Sequence, residues 1–291
     1  MTIAQKLVED SKSNLEINLL SIQKYILCVL PFALVTGPVI PEIICLVSSV
    51  IFLILVIKNR EWKYLYNPIS IILFLWSLFL IISSFFSANI LFSLESSLFY
   101  WRHSLFALSV WYQLDKNSEF KLLFLYSLTA IFFILICDGY FQFFSGENIL
   151  GYPYYESKAR LSSLFGDELR LGNYLSRLMP LLFALALASI SKPRNYLILL
   201  CIFLISTDVL IYLSGERSAF GILIVTTIMM IIFLTNFKKF RIITFATSII
   251  IILIITFFND KVRSRMIENT INQIDVTNQN YIADHELFFT T

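Results

Sequence analysis

The sequence predicts an all-α fold: a polytopic transmembrane helix bundle with about nine spans and a cytoplasmic N-terminus. Three observations lead there. Of 291 residues, 58% are hydrophobic and only 14% are charged, whereas a soluble domain carries about a quarter charged residues. The mean hydropathy is +0.78. The apolar residues are gathered into runs of about twenty, the length that crosses a bilayer core. Such runs are too long for buried strands, Pro and Gly mostly mark their ends, and only a helix satisfies its own backbone polar groups within one segment. The connections also alternate in charge. "KNREWK" (58–63), "DKNSEFK" (115–121), "SKPR" (191–194) and "NFKKFR" (236–241) are basic, while "TGP" (36–38), "FSANILFSLE" (86–95) and "SGE" (214–216) contain no Lys or Arg. That asymmetry puts the basic connections, and the N-terminus with them, inside.

The spans fall near 19–36, 39–57, 68–86, 97–114, 120–144, 172–190, 195–213, 217–235 and 241–258. The first follows a stretch of mixed polarity and is not followed by a small-residue cleavage site, so it reads as a retained anchor. Residues 1–291 form one transmembrane domain on this reading. Two longer segments face outward, the loop 145–171 and the stretch 259–291, which reads as the start of a large periplasmic loop. The loop 145–171 is punctuated by Gly146, Gly151 and Gly166, with Gly172 at its border. Cys28, Cys45, Cys137 and Cys201 lie in separate apolar runs and read as small hydrophobes, not as a disulfide frame or metal site. The net charge of +2 gives no argument for a nucleic-acid partner.

Ionisable residues inside spans are costly, and they face cavities or one another. His103, Asp138, Arg177 and Asp208 each sit five or six residues inside the outer end of a span, roughly 8–9 Å below the outer surface. One reading makes them a polar layer walling an outward-open cavity, with Arg177 and Asp208 salt-bridged. The other makes them structural pairs that help the bundle pack. Arg217 stands at the start of its span, after Ser214, Gly215 and Glu216. Gly215 permits a tight turn and Ser214 can cap the first turn of the next helix. A guanidinium at a helix N-terminus, where the dipole and free N–H groups add positive character, makes an anion site. The alternative is an arginine snorkelling to head groups. Glu216 reads as a favourable first-turn acid. Lys158, Arg160 and Arg170 are set against Glu147, Glu156, Asp167 and Glu168, so the outward loop is no plain basic patch. His285 lies between Asp284 and Glu286; it has the side chain best suited to proton transfer near neutral pH, and the alternative is an inert loop histidine.

"ARLSSLFGDELRLGNYLSRLMPLL" (159–182), followed about forty residues on by "LSGERSAFGILI" (213–224), resembles the O-antigen ligase and polymerase family. "FALVTGPVIPEI" (32–43) and "DHELFFTT" (284–291) are similar to its early and late segments. The resemblance implies transfer of a glycan from undecaprenyl pyrophosphate to an acceptor sugar at the periplasmic face of the inner membrane. The acceptor is lipid A–core for a ligase, or a second lipid-linked glycan for a polymerase. It implies a pyrophosphate site at Arg160 and Arg217, and His285 as the catalytic group that activates the acceptor hydroxyl. No cofactor is implied, neither nucleotide nor metal; Asp167 and Glu168 are the carboxylates that could otherwise serve as ligands. Members of the family have further spans after the large outward loop, so this chain reads as C-terminally incomplete.

Two other classes compete with the transferase. A transporter of an anionic solute would use the polar layer as a path, but it calls for polar groups on the inner halves of the helices too, and Lys24 is one of few there. A scaffold within an envelope assembly would need no chemistry of its own.

Overall fold

The computed structural model describes residues 3–154, 160–189, 194–234, 237–268 and 271. Regular structure among them is helical: α1 (Ile3–Ala33), α2 (Val39–Asn59), α3 (Pro68–Ser84), α4 (Ile90–Leu98), α5 (Trp101–Lys116), α6 (Phe120–Ser145), α7 (Leu171–Ser189), α8 (Arg194–Leu213), α9 (Arg217–Phe233) and α10 (Lys238–Phe258). A short helical segment follows over residues 260–268. Among the described residues, five helical stretches are long and apolar enough to cross a membrane: Glu16–Ala33, Val39–Asn59, Phe120–Ser145, Leu171–Ala188 and Lys238–Phe258. Pro68–Ser84, Ile198–Leu213 and Arg217–Phe233 are shorter apolar helices. By length and composition the chain is a multi-pass membrane protein.

Two of the helices, α3 and α10, are patterned inside out relative to a soluble fold. On α3 the buried positions are Ser70, Ser77 and Ser84, two turns apart, while Ile71, Leu75, Trp76, Leu78 and Phe79 are exposed. On α10 the buried face reads Arg241, Thr244, Ser248, Ile252 and Thr256, at helical spacing, and Ile243, Ile250, Leu253 and Ile254 are exposed. Water would drive the opposite arrangement. Lipid rewards it, because small polar side chains let backbones approach and bond across helices while large apolar ones meet hydrocarbon.

The expected span 97–114 is broken. Its first residues belong to α4, whose Leu91 and Phe92 are exposed, and the span proper starts at Trp101. Short-range bonds turn the chain between the two helices: Tyr100 N–H to Ser97 O at 3.1 Å and His103 N–H to Tyr100 O at 3.0 Å. Apolar residues continue through the break, so hydrophobicity alone does not mark it.

The contacts fall into two compact units, residues 1–128 and 129–291, with the boundary inside α6. In the first unit α2 packs on α1 and α5. Its core holds Phe52, Leu55, Tyr64, Leu108 and Tyr112, with Tyr112 edge-on to both Phe52 and Tyr64. Buried serines bridge its helices: Ser48 meets Ser109 at 2.9 Å, and Ser77 meets Ser104 at 3.0 Å. Gln23 donates to Ser48 O at 3.1 Å. Glu42 and Arg102 pair at 2.9 Å.

In the second unit α8 packs on α10, and α7 on both α8 and α9. The polar heart of these helices is Asp208, whose two oxygens take Arg241 Nη1 and Nη2 at 3.0 and 3.1 Å. Ser248 adds a bond to Asp208 at 3.0 Å, and Thr227 accepts from Arg241 at 2.6 Å. This corrects two expectations. The partner of Asp208 is Arg241, not Arg177, and Arg241 is not a solvated residue of a basic connection. Arg241 and Asp208 are both fully buried. A bidentate guanidinium–carboxylate pair is the form in which a charge is tolerated away from water, and here only Arg241 Nε is left without a hydrogen bond.

Candidate functional site

The site is built around the turn between α8 and α9. Ser214 Oγ donates to Ile211 O at 2.7 Å, and Gly215, at φ +71°, sends its N–H to Tyr212 O at 3.2 Å. The positive φ is where glycine is needed. Ser214 also accepts the Glu216 N–H at 3.4 Å, so it closes the end of α8 rather than capping the first turn of α9. Glu216 is the N-cap residue of α9, but its side chain serves another helix. It accepts Gly172 N–H at 2.9 Å, Asn173 N–H at 3.3 Å, and the Asn173 side-chain amide. The first N–H groups of a helix have no partner within it, and a carboxylate there also meets the positive end of the dipole. One acid thus caps α7 from the start of α9. Gly172 permits the approach: a Cβ on it would lie 2.2 Å from Ser214 Oγ and 3.1 Å from Ala219 Cβ.

Three arginines converge on this turn. Arg160, in the loop before α7, donates to Leu169 O at 2.7 Å, and its Nη2 lies 4.0 Å from Glu216 Oε1. Arg217 is the first residue of α9. Arg265, beyond α10, donates through Nε to Gly215 O at 3.2 Å. Arg160, Asn173, Glu216, Arg217, Ser218 and Arg265 line one pocket of about 270 Å³. Among the described residues that line it, three are arginines and one, Glu216, is an acid.

The electrostatics follow. Burial pushes the Glu216 carboxyl above its ordinary range, against the pull of its bonds from Gly172 and Asn173 and the nearby Arg160 charge. Burial also lowers Arg265, and the Arg217 and Arg160 charges lower it further. Like charges held together in a partly buried pocket gain most from a polyanion, which guanidinium groups grip through paired donors.

Of the residues singled out in the sequence, Arg160 and Arg217 share this pocket. His285 and Lys158 lie outside the described residues. Asp138, Arg177 and Asp208 do not together wall an open cavity. Asp138 is fully buried, with its oxygens accepting Ile149 N–H at 2.9 Å and Ser163 Oγ–H at 2.5 Å. Asp208 is fully buried with Arg241. Neither carboxylate lines an open cavity, because each meets its needs within the protein. Arg177 is exposed on α7. His103 belongs to the first unit, half-buried and edge-on to Tyr100.

Arg265, Asn173 and the capping role of Glu216 were not found by sequence reasoning. Arg265 carried a usable signal. It stands with Lys261 and Arg263 in a segment expected to face outward, where other connections without Lys or Arg were placed. No protein-family model matches the chain, and neither the curated proteins nor the solved structures contain a match to it.

Proposed function

We propose that this pocket binds the diphosphate of a lipid-linked glycan and that the protein transfers the glycan to an acceptor sugar, in the manner of an O-antigen ligase acting on lipid A–core at the periplasmic face. The observation that carries the reading is the gathering of Arg160, Arg217 and Arg265 in one pocket at the start of α9. The acceptor oxygen forms a bond to the anomeric carbon while the bond from that carbon to the diphosphate breaks. The diphosphate leaves with the electron pair, and the hydroxyl proton passes to a base. Diphosphate is a good leaving group, so the chain's main task is to stabilise its growing negative charge, which guanidinium groups and a helix N-terminus suit. His285 is the base assigned by the family resemblance. Undecaprenyl pyrophosphate is the matching carrier.

Replacing Arg217 by Ala is expected to lower glycan attachment at the cell surface by about a hundredfold or more, the scale of losing one transition-state donor, while the protein still inserts at normal levels. Immunoblotting of membrane-bound glycan together with the protein itself reads both. Attachment at the wild-type level in a normally inserted variant would overturn the reading. Single-unit caps in a strain lacking the gene would mark a polymerase using a second lipid-linked glycan as acceptor; loss of all caps marks the ligase.

A further inference from the structure

We infer that Asp138 and Gln142, on the last turns of α6, are positioning residues that hold Arg160 in the pocket, an inference that rests on the diphosphate reading above. Both are fully buried, and they face the loop that carries Arg160. Gln142 Oε1 accepts the N–H groups of Ser162 and Ser163 at 3.1 and 2.8 Å. Its amide donates to Tyr152 O at 3.2 Å and to Ser162 Oγ at 3.3 Å. Asp138 takes Ser163 Oγ–H on one oxygen and Ile149 N–H on the other. Asn148 completes the clamp, donating to Ser163 O at 2.6 Å.

Ser163 is the point on which these bonds converge. Its φ is +48°, a left-handed backbone that serine rarely adopts. Such a conformation persists where its surroundings over-determine it, and it is found most often at functional sites. Here the N–H, the carbonyl and the hydroxyl of one residue are all held by α6 and its following turn. The fixed geometry passes along the chain. Leu161, two residues earlier, is fully buried and sends its N–H to Ser214 O at 3.4 Å, in the turn that forms the pocket. Arg160 is the next residue. Asp138 and Gln142 are one helical turn apart on α6, so a single face of that helix sets the backbone from which Arg160 projects.

The test uses the full chain in detergent micelles, with inorganic pyrophosphate as the probe. Two quantities are read: hydrogen exchange of amides 160–165, and the dissociation constant of pyrophosphate. Asp138→Ala is expected to speed that exchange and to weaken pyrophosphate binding, each by about tenfold or more, the value of a hydrogen bond to a charged group. Asp138→Asn, which keeps an acceptor for Ile149 and a polar partner for Ser163, is expected to restore both. Adding Asp138→Ala to Arg160→Ala should weaken binding no further. Should Asp138→Ala not fold, Ser163→Ala removes one bond of the clamp from the loop side and is expected to move both readouts the same way. Unchanged exchange in these variants overturns the inference. So does a loss of affinity that is the same with and without Arg160. If the unmodified protein binds no pyrophosphate, the diphosphate reading fails, and the exchange measurement alone then decides the clamp.

Discussion

Glu216 shows how much one side chain can carry. It ends the turn, caps α7 through Gly172 and Asn173, and sits within reach of Arg160. Its carboxyl titrates above the ordinary value of 4.5 because burial disfavours the charged form. The folded state therefore favours its neutral form. The contribution to stability is full below 4.5 and is lost as pH rises through the raised value. Protonation also removes the negative charge that the described residues contribute to the pocket lining. Sulfate, whose charge is constant over this range, is expected to bind more tightly as pH falls from neutral toward 4.5. Calorimetry of the purified protein measures it, and the pH slope should be absent in Glu216→Gln. Sulfate affinity that stays flat in the wild type would show that Glu216 does not set the pocket's charge. At this scale the sequence was legible where position alone decided chemistry. Arg217, the first charge before a greasy run, could be assigned to a helix start. Arg241 could not be assigned, because it follows Lys238 and Lys239 and so resembles part of a solvated basic connection. Only the facing of α10 toward Asp208 reveals that its side chain points inward.

Some of the closest helix contacts here are made where a side chain is missing or small. The start of α7 touches the turn before α9 because Gly172 has no Cβ to strike Ser214 and Ala219. Gly172→Ala is expected to destabilise the protein by about 1–3 kcal/mol, the range for overpacking a tight contact. It should also weaken anion binding, since the same contact brings Asn173 and Glu216 together. Thermal unfolding in detergent checks the first effect, and an unchanged midpoint would mean that the contact is looser than described. The serine face of α3 obeys the same rule, with Ser77 against Ser104 and Ser84 against Ser97 at 2.8 Å. The long elements were legible because bilayer thickness sets their length. The break between α4 and α5 was not: Leu98 and Phe99 carry the apolar run across it. Nor was the pairing of buried polar residues legible, since a run that is apolar on most sides does not announce which face turns inward.

At the scale of the whole molecule, each of the two units exposes many large apolar residues and encloses polar ones beside an apolar core. The transferase reading requires the pocket to open on the outer side of the membrane. In a chain whose four native cysteines have been replaced, Glu147→Cys is expected to react with an impermeant thiol reagent in intact cells. Lys239→Cys is expected to react only after the cells are opened, following the basic connections that orient the chain. The reverse pattern would remove the periplasmic site. Composition was enough for the membrane class and the all-α architecture. The pocket was legible only in part: the family resemblance paired Arg160 with Arg217, but Arg265 joins them from a third, separated stretch of chain.

The enclosed Asp208–Arg241 pair carries a last consequence. Mobile counter-ions have no route to a contact with so little accessible surface, so their screening does not reach it. That pair is therefore far less sensitive to the ionic strength of the medium than the arginine pocket, where Arg160 is partly accessible.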